Sequence, residues 1–228
     1  MLDFNNDVHA KWSYFGHGEI WITDSIRNTW IIGGILILFA IIVRIRLRKF
    51  TDVPKGFQNV VELAVETMHG FVSGTMGEKY SYFGNWFFGV FAFILLSNLS
   101  GLIGLRPPTA DIATTFALAL CSFVLIHFMG IFTQKKAYFK SYFEPNPVFF
   151  PLNLIDLAAK PISLSFRLFG NILGGLIIGG LIYGLFPVYL KIGIPAVLHV
   201  YFDIFSGCLQ AFIFTILSMT FIRDRIPY

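Results

Sequence analysis

Residues 151–186 read PLNLIDLAAKPISLSFRLFGNILGGLIIGGLIYGLF, and this stretch decides the fold. Its only charged side chains are Asp156, Lys160 and Arg167. As one helix rising about 1.5 Å per residue, it would exceed the roughly 30 Å hydrocarbon core of a bilayer by half or more. The stretch therefore predicts a membrane-spanning helix that tilts strongly, kinks or extends beyond the bilayer.

The composition of the 228 residues favours a membrane protein throughout. Hydrophobic residues make up 56% of the chain and charged residues 13%, about half the charged share of soluble domains. The net charge of +4 does not indicate a nucleic-acid partner, because most Lys and Arg residues form short clusters beside apolar runs. Such clusters set orientation in a membrane.

Four further segments complete the predicted architecture. A first span covers 26–47 and ends in a basic cluster, which predicts a cytoplasmic exit and an N-terminal segment, 1–25, outside. Residues 54–75 have apolar side chains at helical spacing, which indicates an amphipathic helix on the cytoplasmic surface or packed along the bundle. Two spans follow at 85–105 and 112–134.

The last helix is predicted at 192–222 and forms a hairpin with 151–186 through a turn at Pro187 and Gly193. We therefore predict an all-α membrane protein with about five transmembrane helices plus one amphipathic surface helix. The last two helices are long and strongly tilted, and residues 1–228 form a single integral membrane domain. No internal repeat indicates an inverted-repeat transporter.

Arg167 is the main functional candidate. A guanidinium at membrane depth costs from about 2.5 to above 10 kcal/mol, so it is normally functional or paired. It cannot lose its proton in a protein, which would have removed the cost. Arg167 therefore needs an anion or water beside it. The structural alternative is a static ion pair with Asp156 or Asp203.

Helical spacing places Ser163, Arg167, Asn171 and Gly174 on one face. The small residues along it permit close approach by another helix. Packing within the bundle explains the glycines from 179 to 184. For Gly174 and Gly175 we favour contact with a separate helix that presents a carboxylate.

The last helix carries a matching polar stripe of Asp203, Ser206 or Gly207, and Gln210, with His199 on a neighbouring face. Gln210 could hydrogen-bond Arg167 across the hairpin without neutralising it. Asp203 is an ionisable residue at membrane depth and hence a functional candidate. Asn98 is a weaker candidate, since a hydrogen bond within or between helices explains it about as well.

No metal centre, cofactor or catalytic site of a soluble enzyme is predicted. The five histidines lack metal-ligand spacing, and no phosphate-binding loop or nucleophile motif is present. Cys121 and Cys208 lie in apolar stretches and are interpreted as small hydrophobic residues.

Several of these segments resemble subunit a of the F-type ATP synthase. Residues 151–155 (PLNLI) and 160–171 (KPISLSFRLFGN) are similar to its signature, and 209–214 (LQAFIF) is similar to the signature of its last helix. Residues 97–100 (SNLS) and 108–111 (PTAD) are similar to earlier family segments. The likeness covers roughly Trp86 to the C-terminus.

The resemblance implies a subunit without a catalytic site of its own, working against a c-ring and beside the b subunits of the peripheral stalk. It implies that Arg167 is the essential stator arginine, flanked by Asn171 and Gln210. It places Asp156 in the cytoplasmic access channel and Asp203 in the outer one. The transported ion would be H⁺ or Na⁺, and in this family the choice rests mainly on the ring.

The outer channel departs from the pattern of some family members. Those members pair an acidic residue five positions after the asparagine with a histidine on the last helix, where this chain has Leu176 and Asp203. Near Asn98, some members also have an acidic residue where this chain has Ser100 and Gly101. The outer channel is therefore expected to be built from different residues.

Two other classes of function are considered. A secondary transporter would bind an anionic substrate at Arg167 and use Asp203 as a proton relay, and a purely structural anchor would leave Arg167 without a purpose. The N-terminus shows neither a cleavable signal peptide nor a transit peptide. The expected location is therefore a bacterial plasma membrane, crossed several times, with the C-terminus cytoplasmic.

Overall fold

The computed structural model describes residues 8–13, 19–47, 50, 54–144, 146–185, 198 and 200–226. Within these ranges, five helical segments are long and apolar enough to cross a membrane. This confirms the predicted membrane class and the number of spans. The segments are Asp24–Arg46, Glu78–Ile103, Ile112–Gln134, Pro147–Ile182 and Val200–Arg223.

The first half of the chain begins with two short strands, β1 (Val8–Ser13) and β2 (Glu19–Thr23), which pair antiparallel. The sequence did not predict this hairpin. Helices α1 (Asp24–Arg46), α2 (Phe57–Met76) and α3 (Gly84–Leu99) follow. Short 3₁₀ turns at Glu78–Phe83 and Ser100–Ile103 extend α3 at both ends.

The second half begins with a 3₁₀ turn at Pro108–Ala110, followed by α4 (Ile112–Gln134) and the short α5 (Lys136–Ser141). A 3₁₀ turn at Pro147–Phe149 leads into α6 (Phe150–Leu185), and the last helix combines a π-helix (Val200–Ser206) with α7 (Gly207–Arg223). The predicted turn at Pro187 and Gly193, and His199, lie outside the described residues.

Helix α6 has 36 residues, which at about 1.5 Å per residue makes it roughly 54 Å long. It contains Pro161, whose missing N–H removes one hydrogen bond from the helix ladder. A helix of this length must tilt, bend or project beyond the hydrocarbon core, as the sequence predicted.

Helix α2 packs against the other helices, and its position relative to the cytoplasmic surface stays a prediction. Its apolar face buries Met68, Val72 and Met76, and Phe71 stacks on Phe212 of α7 with 5.3 Å between ring centroids. This face shares a core cluster with residues from α3, α4 and α7: Phe87, Ile126, Met129, Met219 and Ile222.

A second core cluster lies under one side of α6. Leu164 and Leu168 are buried there together with side chains from α3, α4 and α7: Ile94, Ala119, Ala211 and Phe214. The hydroxyl groups of Ser165 and Thr115 lie 3.1 Å apart across the α6–α4 contact. One side of α6 therefore packs against the bundle, and the other side is left uncovered.

The residues that follow α7 lie against the turn between α4 and α5. The Tyr138 hydroxyl forms hydrogen bonds with His127 and Tyr142, and Gln134 donates to the Arg225 carbonyl at 2.9 Å. Burial, and then the hydrogen bond with Tyr142, raise the pKa of the Tyr138 phenol well above its ordinary value. The Tyr138 ring lies directly against Gly130 of α4.

Gly130→Ala should destabilise the protein, because the new Cβ would clash with the buried ring of Tyr138. We expect the free energy of unfolding to fall by about 1–3 kcal/mol, measured by titration of the purified chain with SDS in detergent micelles. Gly89→Ala in α3 is the matched control, because nothing lies within 4 Å of its Cβ position. Equal stability of the two variants would contradict the prediction.

Candidate functional site

Arg167 lies on the side of α6 that faces away from the other helices. The residues beside it on the helix, Ser165 and Leu168, are buried, whereas Arg167 is exposed and the adjacent Phe166 is 56% exposed. None of the ion pairs formed within the described ranges includes Arg167. Its guanidinium therefore faces the surroundings of the chain on this side of α6.

The two aspartates that could have neutralised Arg167 are placed elsewhere. Asp156 pairs with Lys160, one turn further along α6, with 3.2 Å between Oδ2 and Nζ. Asp203 lies beside Gly101, where a Cβ would come 3.5 Å from its Oδ2 atom. The described structure thus lacks the static ion pair that was the structural alternative for Arg167.

The polar face predicted around Arg167 is divided between two environments. Ser163 is exposed like Arg167, whereas Asn171 is half-buried and faces the last helix. Asn171 accepts a hydrogen bond of 2.7 Å from the Ser206 hydroxyl, and its own amide lies 3.5 Å from the Ser206 carbonyl oxygen. Asn171 therefore joins α6 to the last helix one turn from the arginine.

The two glycines predicted to contact a separate helix also differ. The Cβ position of Gly174 has no atom within 4 Å, whereas that of Gly175 lies 3.1 Å from Cβ of Phe202 in the same chain. Gly175 therefore permits close approach between α6 and the π-helix. Only Gly174 leaves room for a partner from outside.

The predicted shared face of Asp203 and Gln210 rested on α-helical spacing, which does not hold here. Residues 200–206 are wound as a π-helix, in which each hydrogen bond spans five residues instead of four. Each of these residues advances the helix by a smaller rotation. Asp203 and Gly207 nevertheless lie on the same side of the last helix, against α3, Asp203 beside Gly101 and Gly207 beside Asn98.

Gln210 is 6% exposed, and its amide nitrogen has no hydrogen-bond partner among the described residues. The suggested hydrogen bond between Gln210 and Arg167 is absent from this part of the chain. The physical reason is the placement of the two side chains. Arg167 lies on the outer side of α6, whereas Gln210 lies inside the bundle.

Asn98 is 1% exposed and joins three parts of the structure. Its amide nitrogen donates to the Gly207 carbonyl at 2.9 Å, and its oxygen accepts from the Thr109 hydroxyl at 2.8 Å. This is the interhelical hydrogen bond that the sequence left open. The sequence did not predict a role for Thr109, because a threonine that follows two prolines does not indicate which residue its hydroxyl will bond.

The chemistry of the region is electrostatic. Within the described ranges, no three His, Cys, Asp or Glu side chains are grouped closely enough to hold a metal ion. What the fold presents instead is a permanent cation on an uncovered helix side, one turn from the Ser163 hydroxyl and the Asn171 amide. Such a surface suits an acid that moves past it and exchanges an ion.

Comparison with known proteins identifies the class. The family described as ATP synthase A chain matches residues 26–223. The chain is similar to ATP synthase subunit a of Moorella thermoacetica, with 35% identity over 92% of this chain and 94% of that protein. It is also similar to the sodium-ion-specific subunit a of Propionigenium modestum, with 36% identity over 90% of this chain and 74% of that protein.

A chloroplastic subunit a, from Stigeoclonium helveticum, is 34% identical over 96% of this chain and 89% of its own length. The chain therefore belongs to the ATP synthase subunit a family. This membership supports the function of a membrane-embedded stator subunit over that of a secondary transporter that binds an anionic substrate at Arg167.

Gln210→Leu should leave the free energy of unfolding unchanged or raise it by about 1 kcal/mol, because it removes a buried N–H without a partner in the described structure. Thr109→Val is the matched control. It removes the hydroxyl that donates to Asn98 and should lower the free energy by about 1 kcal/mol. The measurement is unfolding of the purified chain by SDS titration, and a larger loss for Gln210→Leu would contradict the prediction.

Proposed function

We propose that Arg167 is the fixed cation past which the carboxylates of a c-ring move, and that the chain forms one aqueous half-channel to each side of the membrane. The observation that carries the proposal is the position of Arg167. Its guanidinium is exposed on the uncovered side of α6 and forms no ion pair within the described residues. A mobile acid from a neighbouring protein would supply the missing negative charge.

The arginine would switch each ring carboxylate between two states. A carboxyl group facing lipid favours its neutral, protonated form, because desolvation penalises the charge. Beside a fixed guanidinium the ionised form is favoured. Each carboxyl group would therefore release its ion near Arg167 and take up another before it returns to lipid.

Rotation follows if the two half-channels are offset. An ion entering from one side loads a carboxylate that must travel around the ring before it reaches the other exit. The guanidinium blocks a direct leak, because a fixed positive charge repels a passing cation. A membrane potential of 100 mV supplies about 2.3 kcal/mol for each charge moved, which provides the direction.

Neighbouring residues receive their proposed roles from the family resemblance together with their positions in the fold. Ser163 and Gly174 flank Arg167 on the α6 side and would border the ring. Asp156, whose side chain is 59% exposed, would line the cytoplasmic half-channel. Asp203, beside Gly101, would line the outer one, and Asn171 and Gln210 would bound the site from inside the bundle.

The partners that follow are the c-ring, the b subunits of the peripheral stalk and membrane lipids, with H⁺ or Na⁺ as the transported ion. The synthesis and hydrolysis of ATP belong to other subunits of the complex. The chain would therefore conduct and couple without catalysing a reaction itself.

Arg167→Ala should abolish ATP-driven ion pumping by the assembled complex reconstituted in vesicles. Arg167→Lys should also fail largely, because an ammonium in this site can lose its proton. The matched control is Arg44→Ala, which removes an exposed arginine at the end of α1 and should pump normally. Coupled pumping by the Arg167→Ala complex would refute the proposed role.

We also propose that the N-terminus lies outside and the C-terminus in the cytoplasm of a bacterium, because basic residues follow α1, α4 and α7. Single cysteines introduced at Lys136 and at Ile103 should then react from opposite sides with a membrane-impermeant maleimide. Lys136→Cys should be labelled in inverted vesicles and Ile103→Cys in intact cells. The opposite pattern would overturn the orientation.

A further inference from the structure

The last helix changes its winding between Ser206 and Gly207, where the π-helix ends and α7 begins. An amide from another helix reaches each side of this junction. Asn98 of α3 donates to the Gly207 carbonyl at 2.9 Å, and the Asn171 amide lies 3.5 Å from the Ser206 carbonyl. The carbonyl groups of Ser206 and Gly207 are therefore contacted from two different helices, α6 and α3.

A π-helix is rare, and it persists only where the surrounding structure holds it. Asn98 is suited to that task because it is itself fixed, accepting the Thr109 hydrogen bond at 2.8 Å. Gly207 permits the contact, since a Cβ there would lie 3.1 Å from Cβ of Asn98. The glycine at position 207 therefore leaves room for Asn98 to reach the junction.

The winding has a direct consequence for Asp203. Residues 200–206 rotate less per residue than an α-helix would, so the junction determines where Asp203 points relative to Gln210. In the observed winding the Asp203 carboxylate lies beside Gly101, at the end of α3. A change of winding at the junction would rotate Asp203 relative to Gly207 and therefore shift its carboxylate relative to Gly101.

We propose that Asn98 is a positioning residue that holds the π-to-α junction and thereby keeps the Asp203 carboxylate beside Gly101. Asn98 is not a group that carries the ion, because it is 1% exposed and both its oxygen and its nitrogen are hydrogen-bonded. The importance of this placement for ion transport rests on the proposed function of Asp203. The placement itself does not.

The test measures the placement through a disulfide. Cys121 and Cys208 are first replaced by Ala, and Gly101→Cys is combined with Asp203→Cys in the assembled complex in membranes. Oxidation should join the two residues. Adding Asn98→Leu, which keeps the branched shape of the side chain and removes the amide, should lower the disulfide yield roughly fivefold, since the buried hydrogen bonds to Gly207 and Thr109 are lost.

A second variant approaches the junction from the other side. Gly207→Ala retains the Asn98 side chain but pushes it away from the junction, because the new Cβ would lie 3.1 Å from Cβ of Asn98. It should therefore also lower the disulfide yield. If the Asn98→Leu complex does not assemble, Gly207→Ala decides the question alone. Ser97→Ala is the matched control, because Ser97 is buried on the same turn and its hydroxyl has no partner among the described residues.

A second disulfide pair separates positioning from general loosening. Ser122→Cys with Ser218→Cys reports the α4–α7 contact, where the two hydroxyl oxygens lie 3.3 Å apart. The proposal requires this yield to stay constant while the 101–203 yield falls. An unchanged 101–203 yield in the variants that assemble, or an equal fall in both pairs, would overturn it. Neither disulfide yield depends on pumping. Normal pumping by an Arg167→Ala complex would therefore refute the proposed function and leave this inference unaffected.

Discussion

The guanidinium of Arg167 keeps its positive charge in a segment that is otherwise almost entirely apolar, and the surrounding arrangement is organised around that cost. Desolvating a charge is tolerated only where an opposite charge or water compensates it. Here the chain's own aspartates are placed elsewhere, Asp156 against Lys160 and Asp203 beside Gly101. No ion pair among the described residues compensates the guanidinium.

The two sides of α6 lie in different environments, one buried in the core and one exposed. One side buries Leu164 and Leu168 against three other helices, which fixes the helix relative to the bundle. The other side presents Arg167 and Ser163. Because the packed side is rigid, the charged side keeps a defined position, as an electrostatic site requires.

Buried polar groups hold the interior together where water is absent. Backbone and side-chain polar atoms in a bilayer must find partners within the protein, and the Asn98–Thr109 and Asn171–Ser206 hydrogen bonds provide them around the π-helix. Gln210 and Ser97 are exceptions among the described residues. The Gln210 amide is buried without a protein partner close to the proposed ion path, which indicates that packing alone does not explain this residue.

The membrane class and the number of spans followed from the sequence, because hydrophobic length is a property of local composition. Arg167 was selected from the cost of a buried charge, and its role stays a prediction. The tertiary structure alone decided that α2 packs against the other helices, that Gly175 faces Phe202 and that Asp203 lies beside Gly101. Helical periodicity could not show that Asp203 meets Gly101, since that neighbour depends on the contacts that Asn98 and Asn171 make with the last helix. Those contacts join residues distant in sequence, and only packing brings them together.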